Sequence, residues 1–211
     1  MRHKIDKQNW NRLEHFNFFK SFEDPNHGIV VNLDCTVAYS NAKILGESFY
    51  PYYLHKIFKA VNALEAFKYR IVNDEIFCYD TVNCAGTVGR NDHTFGFSFI
   101  PYNPDRTVFR ALADAESLRV QQSSGLMLDE NAARLDVIHF SAVPWISFTS
   151  LKHARSFGND NGVPKISTGK TFWFDDKLMM PVQIEVHHGL IDGWHLGELI
   201  NKMQELLNEA I

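Results

Sequence analysis

Apolar and polar positions fall into recognisable periods along most of the chain. Residues 9–22, NWNRLEHFNFFKSF, gather Trp10, Leu13, Phe16, Phe18 and Phe19 ahead of the turn signal EDPNHG, and they predict a short aromatic helix or an extended arm. The β-branched run GIVVNLD at 28–34 predicts a strand. Pro51 opens a stretch to Phe67 whose apolar spacing suits a helix with proline in its first turn. Two short strands, 69–72 and 76–79, flank Asn73 and Asp74, and TFGFSFI at 94–100 alternates Phe with small residues as an antiparallel strand does.

Val108, Leu112, Ala115 and Leu118 repeat at helical spacing through 105–122, which predicts an amphipathic surface helix; the following SSGLMLDENAA has no clear period. Strands return at 136–143, 170–174 and 179–188. The chain closes on a helix over 193–211, with Leu196, Leu199, Ile200, Met203 and Leu206 in one stripe. No linker, repeat or shift of composition marks a boundary, so residues 1–211 read as a single α+β domain with a mixed sheet.

Composition acts mainly by exclusion. An apolar fraction of 45%, with 17 Phe and 4 Trp in 211 residues, rules out a disordered or fibrous chain. A chain of this length buries about 70% of the surface its unfolded form exposes. The net charge of −4 gives no general attraction for nucleic acid or an anionic membrane, and a small molecule or a protein is the expected partner. Cys35, Cys78 and Cys84 are odd in number and lack a Cys-x-x-Cys spacing, so reduced thiols are expected. With no signal-like apolar run and no membrane-length segment, the expectation is a soluble cytoplasmic protein.

The chemistry concentrates in VHHGLIDGWH at 186–195, three histidines and an aspartate within ten residues. Adjacent residues on a strand point to opposite faces, so His187 and His188 cannot share one ion, and the distance to His195 matches no usual zinc spacing. No metal is expected. Asp192 directly precedes the last helical period and suits an N-cap. His188 then stands at a strand-to-helix corner, where an imidazole serves equally well as a general base or as a satisfied structural group.

The order H-H-x-x-x-D-G-x-H resembles the active-site signature of the chloramphenicol acetyltransferases. Four further stretches are similar, in the same order: IDKQNWNRLEHFNFF at 5–19, SFYPYYLHKIFKAVN at 48–62, TFGFSFIPYNPD at 94–105 and FSAVPWISF at 140–148. The resemblance implies a two-layer α+β sandwich, with helices packed on one face of a mixed sheet, and direct acetyl transfer from acetyl-CoA to a hydroxyl without an acyl-enzyme. It implies His188 as the base and Ser141 as donor to the oxyanion, a contribution of about two to four kcal/mol. Asp192 would pair with Arg12 and fix the corner, and the Ser167 hydroxyl would organise a water near the reacting centre. Trp145 and Lys170 would lie beside CoA; without the resemblance, Lys170 reads equally well as a solvated lysine.

The resemblance also implies a homotrimer with active sites between subunits, the base coming from one copy and much of the acceptor pocket from its neighbour. The implied pocket positions are Phe18, Phe19, His27, Phe95, Leu151 and His153. His27, Leu151 and His153 depart from the aromatic and aliphatic residues of well-known members, Ser167 stands in place of a threonine, and Ile191 in place of a cysteine. The expected acceptor is chloramphenicol; the alternatives are another hydroxyl compound, or a trimeric scaffold without activity.

Overall fold

The computed structural model describes residues 1–154 and 160–211. Its elements run β1 (Arg2–Lys4), α1 (Leu13–Phe19), β2 (Asn26–Asp34), α2 (Thr36–Ile44), α3 (Phe49–Ala63), β3 (Tyr69–Val72), β4 (Glu75–Tyr79), β5 (Asn83–Gly89), β6 (Phe95–Ile100), α4 (Arg106–Gln121), β7 (Val137–Val143), β8 (Lys165–Gly169), β9 (Phe172–Phe174), β10 (Lys177–His187) and α5 (Gly193–Leu207). The main sheet has the order β2-β10-β8-β7-β5-β6, with β9 also paired to β10, and a small sheet has the order β1-β4-β3. β7 runs parallel to both β5 and β8 while the other pairs are antiparallel, so the main sheet is mixed.

Alternation along the strands gives this sheet two different faces. Ile138, Phe140, Ile166, Val182, Ile184 and Val186 are fully or almost fully buried and join the core formed by α3 and α5, through Leu54, Ile57, Phe58, Leu196, Leu199 and Met203. The fold is therefore the expected two-layer α+β arrangement, with helices on one face. α3 lies between α4 and α5. Pro51 is accommodated within its first turn, where backbone N–H groups have no helical acceptor.

The opposite face carries His139 and Ser141 from β7, Lys165 and Ser167 from β8, and Gln183 and Glu185 from β10. The register aligns them in two rows, His139–Lys165–Glu185 and Ser141–Ser167–Gln183. β6 continues this face with Phe95, Phe97 and Phe99. Among the described residues no helix is long and apolar enough to cross a membrane.

Several elements differ from the sequence expectation. The first aromatic stretch condenses to the two-turn α1, and the expected 51–67 helix starts at Phe49 and stops at Ala63, continuing as a 3-10 turn over Glu65–Lys68. The strand expected at 170–174 is β9, which starts at Phe172 and leaves Lys170 outside it, and β8 just before it was not foreseen. β1, α2 and β5 were not foreseen. α2 is polar for its length, and it is fixed by tertiary bonds: buried Asn41 donates to Tyr52 Oη at 3.2 Å and to the Glu209 carbonyl at 2.8 Å. β5, NCAGTVG, is too rich in small residues to announce a strand, yet a Cβ on Gly86 would stand only 3.1 Å from Ser98 Oγ of β6. The Asn73-Asp74 hairpin follows expectation, both residues taking the positive φ that such a turn requires.

Candidate active site

β10 ends at His187 and α5 begins at Gly193, so the histidine stretch forms the corner between them. His187 turns inward: it is 3% exposed, its Nδ1 accepts from the Gly189 N–H at 3.0 Å, and its carbonyl accepts from the Leu190 and Ile191 N–H groups. Burial holds its imidazole below the ordinary pKa. A side chain at position 189 would place Cβ 2.9 Å from the His187 ring, which is why glycine follows the histidine pair.

His188 faces the other way. Its ring is stacked between Phe19, at 4.1 Å and 8°, and His27, at 4.0 Å and 24°. The ring plane is thus set from both sides. His27 Nε2 donates to the Ile191 carbonyl at 3.0 Å, and burial lowers the His27 pKa, which keeps that neighbour neutral. His188 Nδ1 is enclosed without a hydrogen-bond partner among the described residues, so Nε2 is the nitrogen able to meet a substrate.

Arg12, 7% exposed, ties the corner together: Nη1 donates to Asp192 Oδ2 at 2.6 Å and Nη2 to the His188 carbonyl at 3.2 Å. Asp192 also caps α5, accepting from the Trp194 N–H at 3.1 Å and from His195 Nδ1 at 2.8 Å. Partial burial alone would raise this carboxyl; the bonds and charges of Arg12 and His195 outweigh it and hold it well below the usual range. Cap and anchor are one residue. Among the described residues no three His, Cys, Asp or Glu side chains converge as a metal site.

Ser141 lies elsewhere, beside a cavity of about 500 Å³ on the helix-free face of the sheet, whose walls include Phe95, Phe97, His139, His153 and Lys165. Next to it Ser167 is fully buried. Hydrogen bonding fixes the protons here. Gln183 Nε2 donates to the Leu151 carbonyl at 3.0 Å, so Gln183 Oε1 must accept from His153 Nε2 at 3.0 Å, and His153 carries its proton on Nε2. Burial lowers the His153 pKa and keeps the ring neutral. Ser167 Oγ, 3.1 Å from that same Nε2–H, can only accept from it, which leaves the Ser167 hydroxyl hydrogen free to turn toward Ser141.

The candidate residues therefore form two groups within one chain. His188, Arg12, Asp192, Phe19 and His27 make the corner; Phe18, 61% exposed, packs edge-on against Phe19 at its rim. Ser141, His153 and Phe95 line the cavity, Ser167 is buried beside them in contact with His153, and Leu151 supplies only its carbonyl. Ser141 is aligned with Gln183 two strands away, and Gln183 precedes His188 by five residues on β10. At about 4.8 Å per strand and 3.3 Å per residue, His188 and Ser141 of one chain lie roughly 19 Å apart. Trp145, 75% exposed, follows β7, and Lys170 stands nearby with its N–H bonded to the Ile146 carbonyl at 2.8 Å. His139, Lys165, Gln183 and Glu185 went unremarked in the sequence, although two-residue alternation from Ser141 and Ser167 points directly to His139 and Lys165.

A family model described as chloramphenicol acetyltransferase matches residues 2–204. A chloramphenicol acetyltransferase of Proteus mirabilis is 30% identical over 207 residues, covering 98% of this chain and 94% of that protein. A solved chloramphenicol acetyltransferase superposes with a TM-score of 0.91 at 30% identity, over 98% of this chain and 100% of its own. A dihydrolipoamide acetyltransferase of Azotobacter vinelandii shares the fold alone, with a TM-score of 0.67 at 13% identity over 93% of this chain and 86% of its own.

Proposed function

Because the chain belongs to the chloramphenicol acetyltransferase family, we propose that it transfers acetyl from acetyl-CoA to the hydroxyl of chloramphenicol or a related alcohol, at sites shared between the copies of a homotrimer. The observation that carries this reading is the separation of roughly 19 Å between the base and the oxyanion donor within one chain. Neither half can work alone, since a base must come within hydrogen-bond reach of the proton it removes. His188 of one copy facing the Ser141 cavity of the next completes the constellation.

In that site His188 Nε2 takes the acceptor hydroxyl proton as the oxygen attacks the thioester carbonyl. Ser141 donates to the oxyanion that forms, with the Ser167 hydroxyl beside it. Collapse expels the CoA thiolate, which recovers the proton from His188. Phe19 and His27 hold the base's ring plane, and Arg12 with Asp192 holds its backbone. The exposed indole of Trp145 offers a flat stacking surface, and Lys170, whose backbone N–H bonds to the Ile146 carbonyl, adds a cation in the same region, which suit a nucleotide and its phosphates.

The test is complementation. His188→Ala and Ser141→Ala should each be nearly inactive in a thiol-release assay with acetyl-CoA and chloramphenicol. Trimers reassembled from a mixture of the two should regain activity, because about one site in three of a mixed trimer pairs an intact base with an intact donor. Mixed trimers as inactive as their parents would refute a shared site.

The polar residues of the cavity favour a second reading, in which the acceptor is an alcohol other than chloramphenicol. Activity toward other alcohols only, in the same assay, selects it.

A further inference from the structure

The segment between α4 and β7 contributes nothing to the acetyl-transfer step itself, yet Met127, Leu128, Asp129, Asn131, Ala132 and Arg134 from it form one wall of the cavity. Most of its hydrogen bonds are its own. Asp129 caps a 3-10 turn over Glu130–Ala133 by accepting from the Asn131 N–H at 2.8 Å, and the Ala132 and Arg134 N–H groups return to the Asp129 and Asn131 carbonyls. At the exit, Arg134 pairs with Asp136 and lies 4.6 Å over the Phe99 ring. The entry is held by a different arginine.

Arg90 stands in the turn between β5 and β6, where its N–H donates to the Thr94 carbonyl at 2.9 Å. From there its side chain reaches past β6 to the end of α4. Nε donates to the Val120 carbonyl at 2.9 Å, Nη2 to Ser123 Oγ at 3.0 Å and to the Gly125 carbonyl at 2.8 Å, and Nη1 to Thr94 Oγ1 at 3.2 Å. A cation here suits the negative end of α4, whose last carbonyls lack helical donors. β6 leaves room for it: a Cβ on Gly96 would collide with Arg90 Nη2 and stand 2.7 Å from Val120 Cγ1.

Directly after this clamp the backbone passes twice through left-handed space, at Gly125 (φ +68°) and Met127 (φ +58°). Between them the Leu126 carbonyl accepts from the Phe97 N–H of β6 at 2.9 Å. Methionine lacks the freedom of glycine, so the Met127 conformation is imposed by its surroundings. The direction in which the wall leaves β6 is thus set next to the carbonyl that Arg90 grips. α4 itself stands without the clamp, because Phe109, Ala113 and Val120 bury its inner face.

We propose that Arg90 is a positioning residue for acetyl transfer: through the Val120, Ser123 and Gly125 oxygens it sets the angle at which the 126–134 wall stands over the cavity beside Ser141, without touching a substrate. The proposal rests on the acetyl-transfer reading above. Lysine cannot take its place, since one ammonium does not reproduce a planar fork that reaches several oxygens at once.

The test uses the purified full-length protein in the thiol-release assay. Arg90→Lys should raise KM for chloramphenicol, or for the alcohol turned over in its place, about ten-fold, while kcat, KM for acetyl-CoA and Tm stay close to wild type. Gly96→Ala, which drives the guanidinium from its place, should do the same, and in the Arg90→Lys background it should add almost nothing. An unchanged acceptor KM in both variants, a parallel loss in kcat and both KM values, or additive effects of the two changes overturns the proposal. If no acceptor releases CoA, the acetyl-transfer reading falls, and amide hydrogen exchange then decides the clamp. Residues 123–134 should exchange several-fold faster in Arg90→Lys than in wild type while β5 and β6 keep their rates; equal exchange shows that Arg90 does not hold the wall.

Discussion

The corner at His188 and the floor around Ser141 are built in opposite ways. The corner is short in sequence and closed on itself: Gly189, Asp192 and His195 act within eight residues of His188, and the distant contributions come from Arg12 just before α1, Phe19 at the end of α1 and His27 on β2. The floor is assembled from β7, β8 and β10, which are neighbours only in the folded sheet, with His153 added from the loop after β7. A local corner can be held rigid by a cap and one ion pair. A floor made of separate strands offers more positions at which a side chain can change without touching the corner.

If that contrast is right, damage to the corner should abolish turnover, whereas damage to the floor should grade and redirect it. His188→Ala has the largest expected effect, a loss of kcat of at least about a hundred- to ten-thousand-fold with acetyl-CoA binding nearly intact; substantial residual turnover rules His188 out as base. Ser141→Ala comes next, at about a hundred- to thousand-fold in kcat with KM for the acceptor little changed. A change confined to KM would place Ser141 in binding only.

Asp192→Asn should act on stability as well as rate. Removing the charge that Arg12 faces should cost about 1–2 kcal/mol, allowing for the partial exposure of the carboxylate, and it should lower Tm. The acid dependence follows from the direction of the shift. A carboxyl held below its unfolded value contributes stability that is complete above the ordinary Asp pKa of about 4 and is lost as pH falls below it. The wild type should therefore lose stability more steeply than Asp192→Asn below about pH 4. Parallel acid-denaturation curves, or an unchanged Tm at neutral pH, would remove Asp192 as the anchor.

His153→Leu should have the smallest effect, a loss of a few-fold in kcat, because it frees Ser167 to turn its hydroxyl away from Ser141. In a Ser167→Ala background the same change should add almost nothing. Additive losses would show that His153 acts on the acceptor directly and not through Ser167.

The corner was readable because its signals are local. The alternation of Val186, His187 and His188 separates the two rings, and Asp192 before an apolar period announces a cap. The pairing of Arg12 with Asp192 spans 180 residues, and it came from likeness to other sequences, since no local rule joins an N-terminal arginine to a C-terminal aspartate. The floor was only partly readable. Ser141 stood out within a matched segment and Ser167 through the resemblance, but the polar row beside them did not, because no strand was expected over Lys165–Gly169, where β8 lies.

By itself, the sequence determined the two-faced strands, the main helices, the capped corner and the set of reactive side chains, all of which follow from periods of two and 3.6 residues and from side-chain chemistry. Only the tertiary structure decided which side chains share a place. It put His188 and Ser141 roughly 19 Å apart by strand order and register, and it set His139, Lys165 and Glu185 in one row on the face of the sheet that carries the cavity. The reason is physical: strand order is settled by packing the whole core, and no stretch of chain carries that information locally.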